Sequence, residues 1–174
     1  MRLVLIANVI SFMGSCLMVV CGYLKDRKKT FMVQNGQMTL FVIANVMLKG
    51  YAGIITNAVS ILRNVFCMID KYTIWVKVFI DACLIGLNVY FNNRGLIGWL
   101  PVVSGVFYSS LMDIKDERKF KIVIGLSAFP WIVYDICIMN YSSAVFDVIT
   151  VVSCAIGYIR VKKDCEVISD KNAV

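Results

Sequence analysis

The chain has 174 residues, 60% of them hydrophobic, with a mean hydropathy of +0.78 and a formal net charge of +7. A soluble domain is about 45–50% apolar, so this chain has too little polar surface to cover a water-soluble globule, and lipid must be its solvent. Histidine is absent, which removes the usual general base and zinc ligand and excludes a Ser-His or Cys-His hydrolase.

A spanning helix needs about 20 mainly apolar residues. Seven segments fit, at about 3–24, 30–48, 52–69, 73–91, 95–114, 120–139 and 143–160. The first is longer than the roughly 7–15-residue core of a signal peptide, and its basic cluster follows it, so a retained helix is expected. Asn8, Ser11, Ser15 and Gly22 give it a small, polar face. The hinge Lys25-Asp26-Arg27-Lys28-Lys29 separates it from the second span, where Gln34, Gln37, Phe41 and Asn45 gather on one side.

In the third span Gly53, Asn57, Ser60 and Asn64 fall at helical spacing and form one stripe. Arg63 lies near its far end, and Lys77 and Asp81 lie at a similar depth in the fourth span. A buried charge needs a partner, so Asp81 is expected to pair with Arg63 or Lys77, as an ion pair or an inner gate. Pro101 and Pro130 fall inside the fifth and sixth spans, where each frees a carbonyl and can kink its helix. Trp131, Tyr134 and Asp135 follow Pro130, and Ser143, Asp147, Thr150 and Cys154 form the stripe of the seventh span. Tyr51, Tyr72, Tyr90, Trp99, Tyr141 and Tyr158 sit near span ends as interfacial anchors. Residues 161–174 make a polar tail. The seven cysteines show no C-x-x-C pair and read as small packing residues.

A second basic hinge, Lys115-Asp116-Glu117-Arg118-Lys119, echoes the first at an offset of 90. At that offset Lys29, Val33 and Tyr51 meet Lys119, Val123 and Tyr141, while Asn45 meets Asp135, Asn57 meets Asp147 and Ser60 meets Thr150. The fold expected is therefore all-α and integral to a membrane, with seven transmembrane helices in a 3+1+3 parallel repeat. Its units are residues 1–70, a linker helix at 71–94, and residues 95–160, with the 161–174 tail on the cytoplasmic side. Seven helices without internal symmetry are the alternative.

Lys25, Arg27, Lys28, Lys29, Lys71, Lys115, Arg118, Lys119 and Lys121 fall on one side with Arg160, Lys162, Lys163 and Lys171 of the tail. Only Arg2, Lys49 and Arg94 fall on the other. This bias predicts an N-out, C-in topology, and explains the basic charge without nucleic acid. Anionic headgroups remain natural contacts for the hinges.

Polar side chains inside apolar helices are expensive, and an ionised aspartate at mid-membrane costs about 2.5–3.5 kcal/mol. Asn45, Asn57, Asp135, Asp147 and Trp131 are thus the candidate solute-binding residues, and Arg63, Lys77 and Asp81 the candidate gate or ion pair. Gly and Ser stripes also serve close helix packing, and amides serve as interhelical glue.

The stretch Lys49-Gly50-Tyr51-Ala52-Gly53, with Asn57 and Ser60-Ile61-Leu62-Arg63-Asn64, the opening Ile10-Ser11-Phe12-Met13-Gly14 and the basic hinge, resembles the YgjV family of small bacterial inner-membrane proteins. The resemblance covers nearly the whole chain and implies a multi-pass inner-membrane protein without assigning a chemistry. The 3+1+3 plan is similar to SWEET sugar transporters and PnuC-type vitamin transporters. In SWEET-like proteins an asparagine on the third helix of each unit faces the substrate, which Asn57 and Asp147 would do here. The aspartate departs from that pattern, and the Pro-Gln motif of the first helix is missing.

The expected function is a small-solute transporter or facilitator working by alternating access, without enzymatic activity or cofactor. Two carboxylates suit a neutral polyol or a cationic or amine-bearing solute. The alternative is a membrane interaction or assembly protein without flux. The expected partners are the bilayer, a small solute and possible further copies of the chain, with no nucleic acid.

Overall fold

Backbone groups surrounded by lipid must be satisfied within the chain, and helices do this segment by segment. The computed structural model describes residues 2–23, 27–111 and 117–172. These form α1 (Arg2–Tyr23), α2 (Arg27–Met47), α3 (Tyr51–Met68), α4 (Ile74–Phe91), a 3₁₀ turn (Gly95–Trp99), α5 (Leu100–Leu111), α6 (Glu117–Cys137) and α7 (Tyr141–Asn172), with no strand among the described residues. Lys25, Asp26, Lys115 and Asp116 of the two hinges lie outside the described residues.

α3 and α4 are each 18 residues long and apolar enough to cross a bilayer. The apolar parts of α1, α6 and α7 (Arg2–Met18, Ile122–Cys137, Tyr141–Ile156), and Gly95–Leu111 across the 3₁₀ turn and α5, are shorter. α7 continues past its apolar part to Asn172. The fifth span is not one helix: it runs as a 3₁₀ turn to Trp99 and becomes α-helical at Leu100. Pro101 therefore stands in the first turn of α5, where a missing N–H costs nothing.

The sharp breaks have a common construction. At the end of α2, Gly50 N–H donates to Asn45 O at 2.8 Å and Lys49 N–H to Val46 O at 3.2 Å. At the end of α6, Asn140 N–H donates to Asp135 O at 2.8 Å and Met139 N–H to Ile136 O at 3.1 Å. At the end of α3, Lys71 and Asp70 make the same two bonds to Phe66 and Cys67. Each is a Schellman ending, with Lys49, Asp70 and Met139 in the left-handed region at φ of 55°, 55° and 63°.

Each helix packs on the next in the chain, and α1 also packs on α7 and α3 on α5. The six helices α1, α2, α3, α5, α6 and α7 thus close a ring, with α4 against α3 and α5. Large apolar side chains face outward, among them Trp75, Tyr90 and Leu96 at 80%, 82% and 87% exposed. The interior is as rich in polar residues as in apolar ones, including Ser11, Ser15, Asn64, Arg63, Lys77, Asn88 and Asp135. This inside-out distribution is that of a helix bundle solvated by lipid. One apolar cluster, built on Ala7, Ala44, Leu48, Ala52, Tyr134 and Ile138, joins α1, α2, α3 and α6. Another, Val59, Ile80, Leu84 and Val102, joins α3, α4 and α5.

Candidate functional site

With no water in the hydrocarbon, the free groups at each helix end must find side chains. Three long-range clasps do this. Asn8 on α1 accepts from Ser142 N–H at 2.9 Å and donates to Met139 O at 2.9 Å, capping α7 and the end of α6 together. Tyr134 Oη on α6 accepts from Gly53 N–H of α3 at 2.9 Å. Arg94 donates to Leu48 O at 3.3 Å and Asn93 to Lys49 O at 3.2 Å, covering the end of α2.

Three of the predicted solute residues gather around Gly53. Asn45, 1% exposed, donates to Phe41 O of its own helix, and its Oδ1 lies over Gly50 and Gly53. Asn57 donates to Gly53 O at 2.8 Å. Trp131 stacks edge-on against Tyr134 at 5.9 Å and packs on the Ala7–Ile138 cluster.

The other two meet in the α6–α7 seam. Asp135 is 2% exposed, accepts from Asn140 Nδ2 at 3.4 Å, and has Ser143 and the Asp147 carboxyl within hydrogen-bonding reach. Asn140 Oδ1 and Asp147 Oδ2 are buried without a partner. Tyr134 and Asp135 are consecutive, so one turn of α6 serves both groups: Tyr134 reaches α3 and Asp135 reaches α7. Asn45, Asn57 and Trp131 therefore sit apart from the carboxyl pair, linked to it through Tyr134.

The residues of the candidate gate or ion pair also come together, at the junction of α3, α4 and α5. Arg63, 5% exposed, lies 5.0 Å over the Tyr108 ring and reaches Asn64 Oδ1 at 3.4 Å. Lys77 lies 5.8 Å over Tyr72. Asp81 accepts from Ser109, while Arg63 and Lys77 both attract it. Ser109 also bonds the Tyr72 hydroxyl at 2.7 Å. Tyr72 stands in the turn between α3 and α4, and burial pushes its phenol above the ordinary value, so it stays neutral. The expected ion pair is thus a network routed through Ser109 and two tyrosines.

Sequence reasoning missed Asn140, Ser109, Tyr108 and Asn88. Asn140 carried a signal, since it stands at the offset of 90 from Gly50, immediately before Tyr141. Asn88 is fully buried with both side-chain polar atoms unpartnered. Pro130, expected to kink its helix, lines a groove of about 210 Å³ with Val103, Ser104, Phe107, Leu126 and Ser127. Ser104 donates to the Ser127 carbonyl there at 2.5 Å. None of the candidate site residues lines that groove.

Residues 5–164 match the profile of Imp-YgjV, described as a bacterial inner membrane protein. The chain belongs to the YgjV family. It is therefore a bacterial inner-membrane protein, and its seven-helix architecture is that of a multi-pass one. No curated protein and no solved structure matches this YgjV chain.

Proposed function

We propose that this YgjV protein is a small-solute transporter or facilitator, with no enzymatic activity. Two three-helix units, α1–α3 and α5–α7, alternate access to the polar interior between them, and α4 links them in a parallel 3+1+3 arrangement. The matching turns at 44–54 and 134–144 support this pairing of units, as does a ring in which α1 packs on α7 and α3 on α5. The positive-inside bias supports N-out, C-in, with the turns at Lys49 and Met139 on the periplasmic side.

The observation that carries the reading is the set of buried polar atoms without protein partners. Ser11 Oγ, Ser15 Oγ, Asn45 Oδ1, Asn140 Oδ1 and Asp147 Oδ2 lie on three of the six ring helices, α1, α2 and α7, and on the turn between α6 and α7. Each such atom costs about 1–3 kcal/mol if it stays dry, so a bundle that served only as scaffold would be expected to pair them. Water or a polar solute satisfies them all. The carboxyls and amides favour a neutral polyol or a cationic, amine-bearing solute.

One observation favours the competing reading of a flux-free interaction protein: Asn45, Thr56, Asn57 and Thr150 bond carbonyls of their own helices, as packing residues do. Proteoliposomes separate the two. A panel of labelled polyols, amines and cationic metabolites is offered to vesicles with and without protein. Transport predicts at least one solute that enters faster with protein, and slower again in Asp147→Asn. Equal entry for the whole panel would favour the interaction protein.

A further inference from the structure

The seam between α6 and α7 is rich in acceptors and short of donors. Asp135 has Asn140 Nδ2 and Ser143 as donors. The Asp147 carboxyl has Asp135. A hydrogen bond between two carboxyl oxygens needs at least one proton. That proton leaves Asn140 Oδ1 and Asp147 Oδ2 without a donor, on side chains already joined to Asp135. Asn140 is 1% exposed, beyond the reach of bulk water.

The matching turn shows that this arrangement is not needed to end the helix. Residues 44–54 make the same backbone bonds. They do so with Asn45 where the second turn has Asp135, and with Gly50 and Gly53 where it has Asn140 and Ser143. That version carries no charge and is filled, since a Cβ on Gly53 would lie 2.5 Å from Asn45 Oδ1. The second turn keeps the geometry and adds two carboxyls and two further oxygens.

We infer that Asp135, Asn140, Ser143 and Asp147 form a binding site for one compact monovalent cation, either a sodium ion or the ammonium group of a solute. With one shared proton the pair has a single charge to balance, and the unpartnered acceptors beside it are oxygens. A calcium ion wants about six to eight oxygens, more than four side chains offer. Tyr134, beside Asp135, and Arg94, which acts on Tyr134, are the other ionisable groups facing the cluster. Arg94 is held on the Leu48 carbonyl and leaves the site to the cation. The inference deepens the site of the transport reading but needs no flux.

Equilibrium binding on the whole protein in lipid nanodiscs tests it, with radiolabelled sodium alone, then with methylammonium or choline as competitor. Saturable sodium binding that choline does not displace is expected. Displacement by methylammonium would assign the site to a solute ammonium as well; its failure to compete would assign the site to the alkali ion. Asp147→Asn and Asp135→Asn should each weaken binding at least tenfold. Asp70→Asn, at an exposed acid in the α3–α4 turn, should leave it within twofold. If Asp135→Asn does not fold, Asp147→Asn at the rim of the site still decides. The inference is overturned if the wild type binds neither cation saturably, or if the folded variants bind as it does. Flux without cation binding would refute this site and spare transport; binding without flux would do the reverse.

Discussion

Arg63→Ala is expected to destabilise the protein by about 3 kcal/mol, the scale seen when one partner of a buried charge network is removed. The guanidinium is almost fully enclosed, stacked on Tyr108 and bonded to Asn64. It is also one of two cations attracting the Asp81 carboxyl. Its loss leaves Asp81 with Lys77 and Ser109, empties the space beside Tyr108, and forfeits a cation–π contact worth about 0.5–2 kcal/mol. The network reading makes a sharper demand. Asp81→Asn in the Arg63→Met background should cost less than Asp81→Asn alone, because the neutral pair has no charge left to strand. Unfolding in mixed micelles measures the whole cycle. Additive effects of the two substitutions would show that Arg63 and Asp81 do not act on each other.

The second large effect is at Gly53, where the sign is diagnostic. Glycine inside a helix costs about 0.8–1.0 kcal/mol relative to alanine, so propensity alone favours Gly53→Ala. The structure predicts the opposite. A Cβ there would sit 2.5 Å from Asn45 Oδ1 and 3.0 Å from the Tyr134 ring, on the residue whose N–H bonds Tyr134. Overpacking of this kind costs about 1–3 kcal/mol, and the clasp between α3 and α6 goes with it. Gly86 is the control, since a Cβ on it meets nothing within 4 Å. Gly86→Ala should stabilise by up to about 1 kcal/mol, while Gly53→Ala destabilises. If both stabilise, the close approach of Asn45 and Tyr134 to α3 is not real.

Much of the helical plan was legible because charge and apolar run-length are strong signals. The expected spans at 52–69 and 73–91 correspond to Tyr51–Met68 and Ile74–Phe91, each bounded by polar residues. The turns were harder. A Schellman ending normally advertises itself with glycine, but here Lys49, Asp70 and Met139 take the left-handed position, so only the following Tyr51 and Tyr141 marked two of the breaks. The change from 3₁₀ to α at Leu100 left no mark in the hydropathy.

At the candidate site, polarity in an apolar helix was enough to single out Asp135, Asp147, Asn45 and Asn57. What they touch depends on packing between helices. Asn8 looked like part of a small-residue stripe, yet its amide caps α7 from 134 residues away. Tyr134 looked like a neighbour of Asp135, yet it crosses to Gly53. Asp81 and Arg63 could be matched by depth, but Ser109 and Tyr108 on α5 could not, because neither is unusual in sequence.

Alternating access requires a polar route open in turn to the two faces of the membrane, and the accessibility of position 57 reports on it. Asn57→Cys is placed in a background lacking the seven native cysteines. Oriented vesicles of both polarities are then treated with a small, membrane-impermeant thiol reagent. Alternating access predicts labelling of position 57 from both sides, slowed when a transported solute is present. Position 57 unlabelled from either side, in protein that labels fully once unfolded, would contradict it.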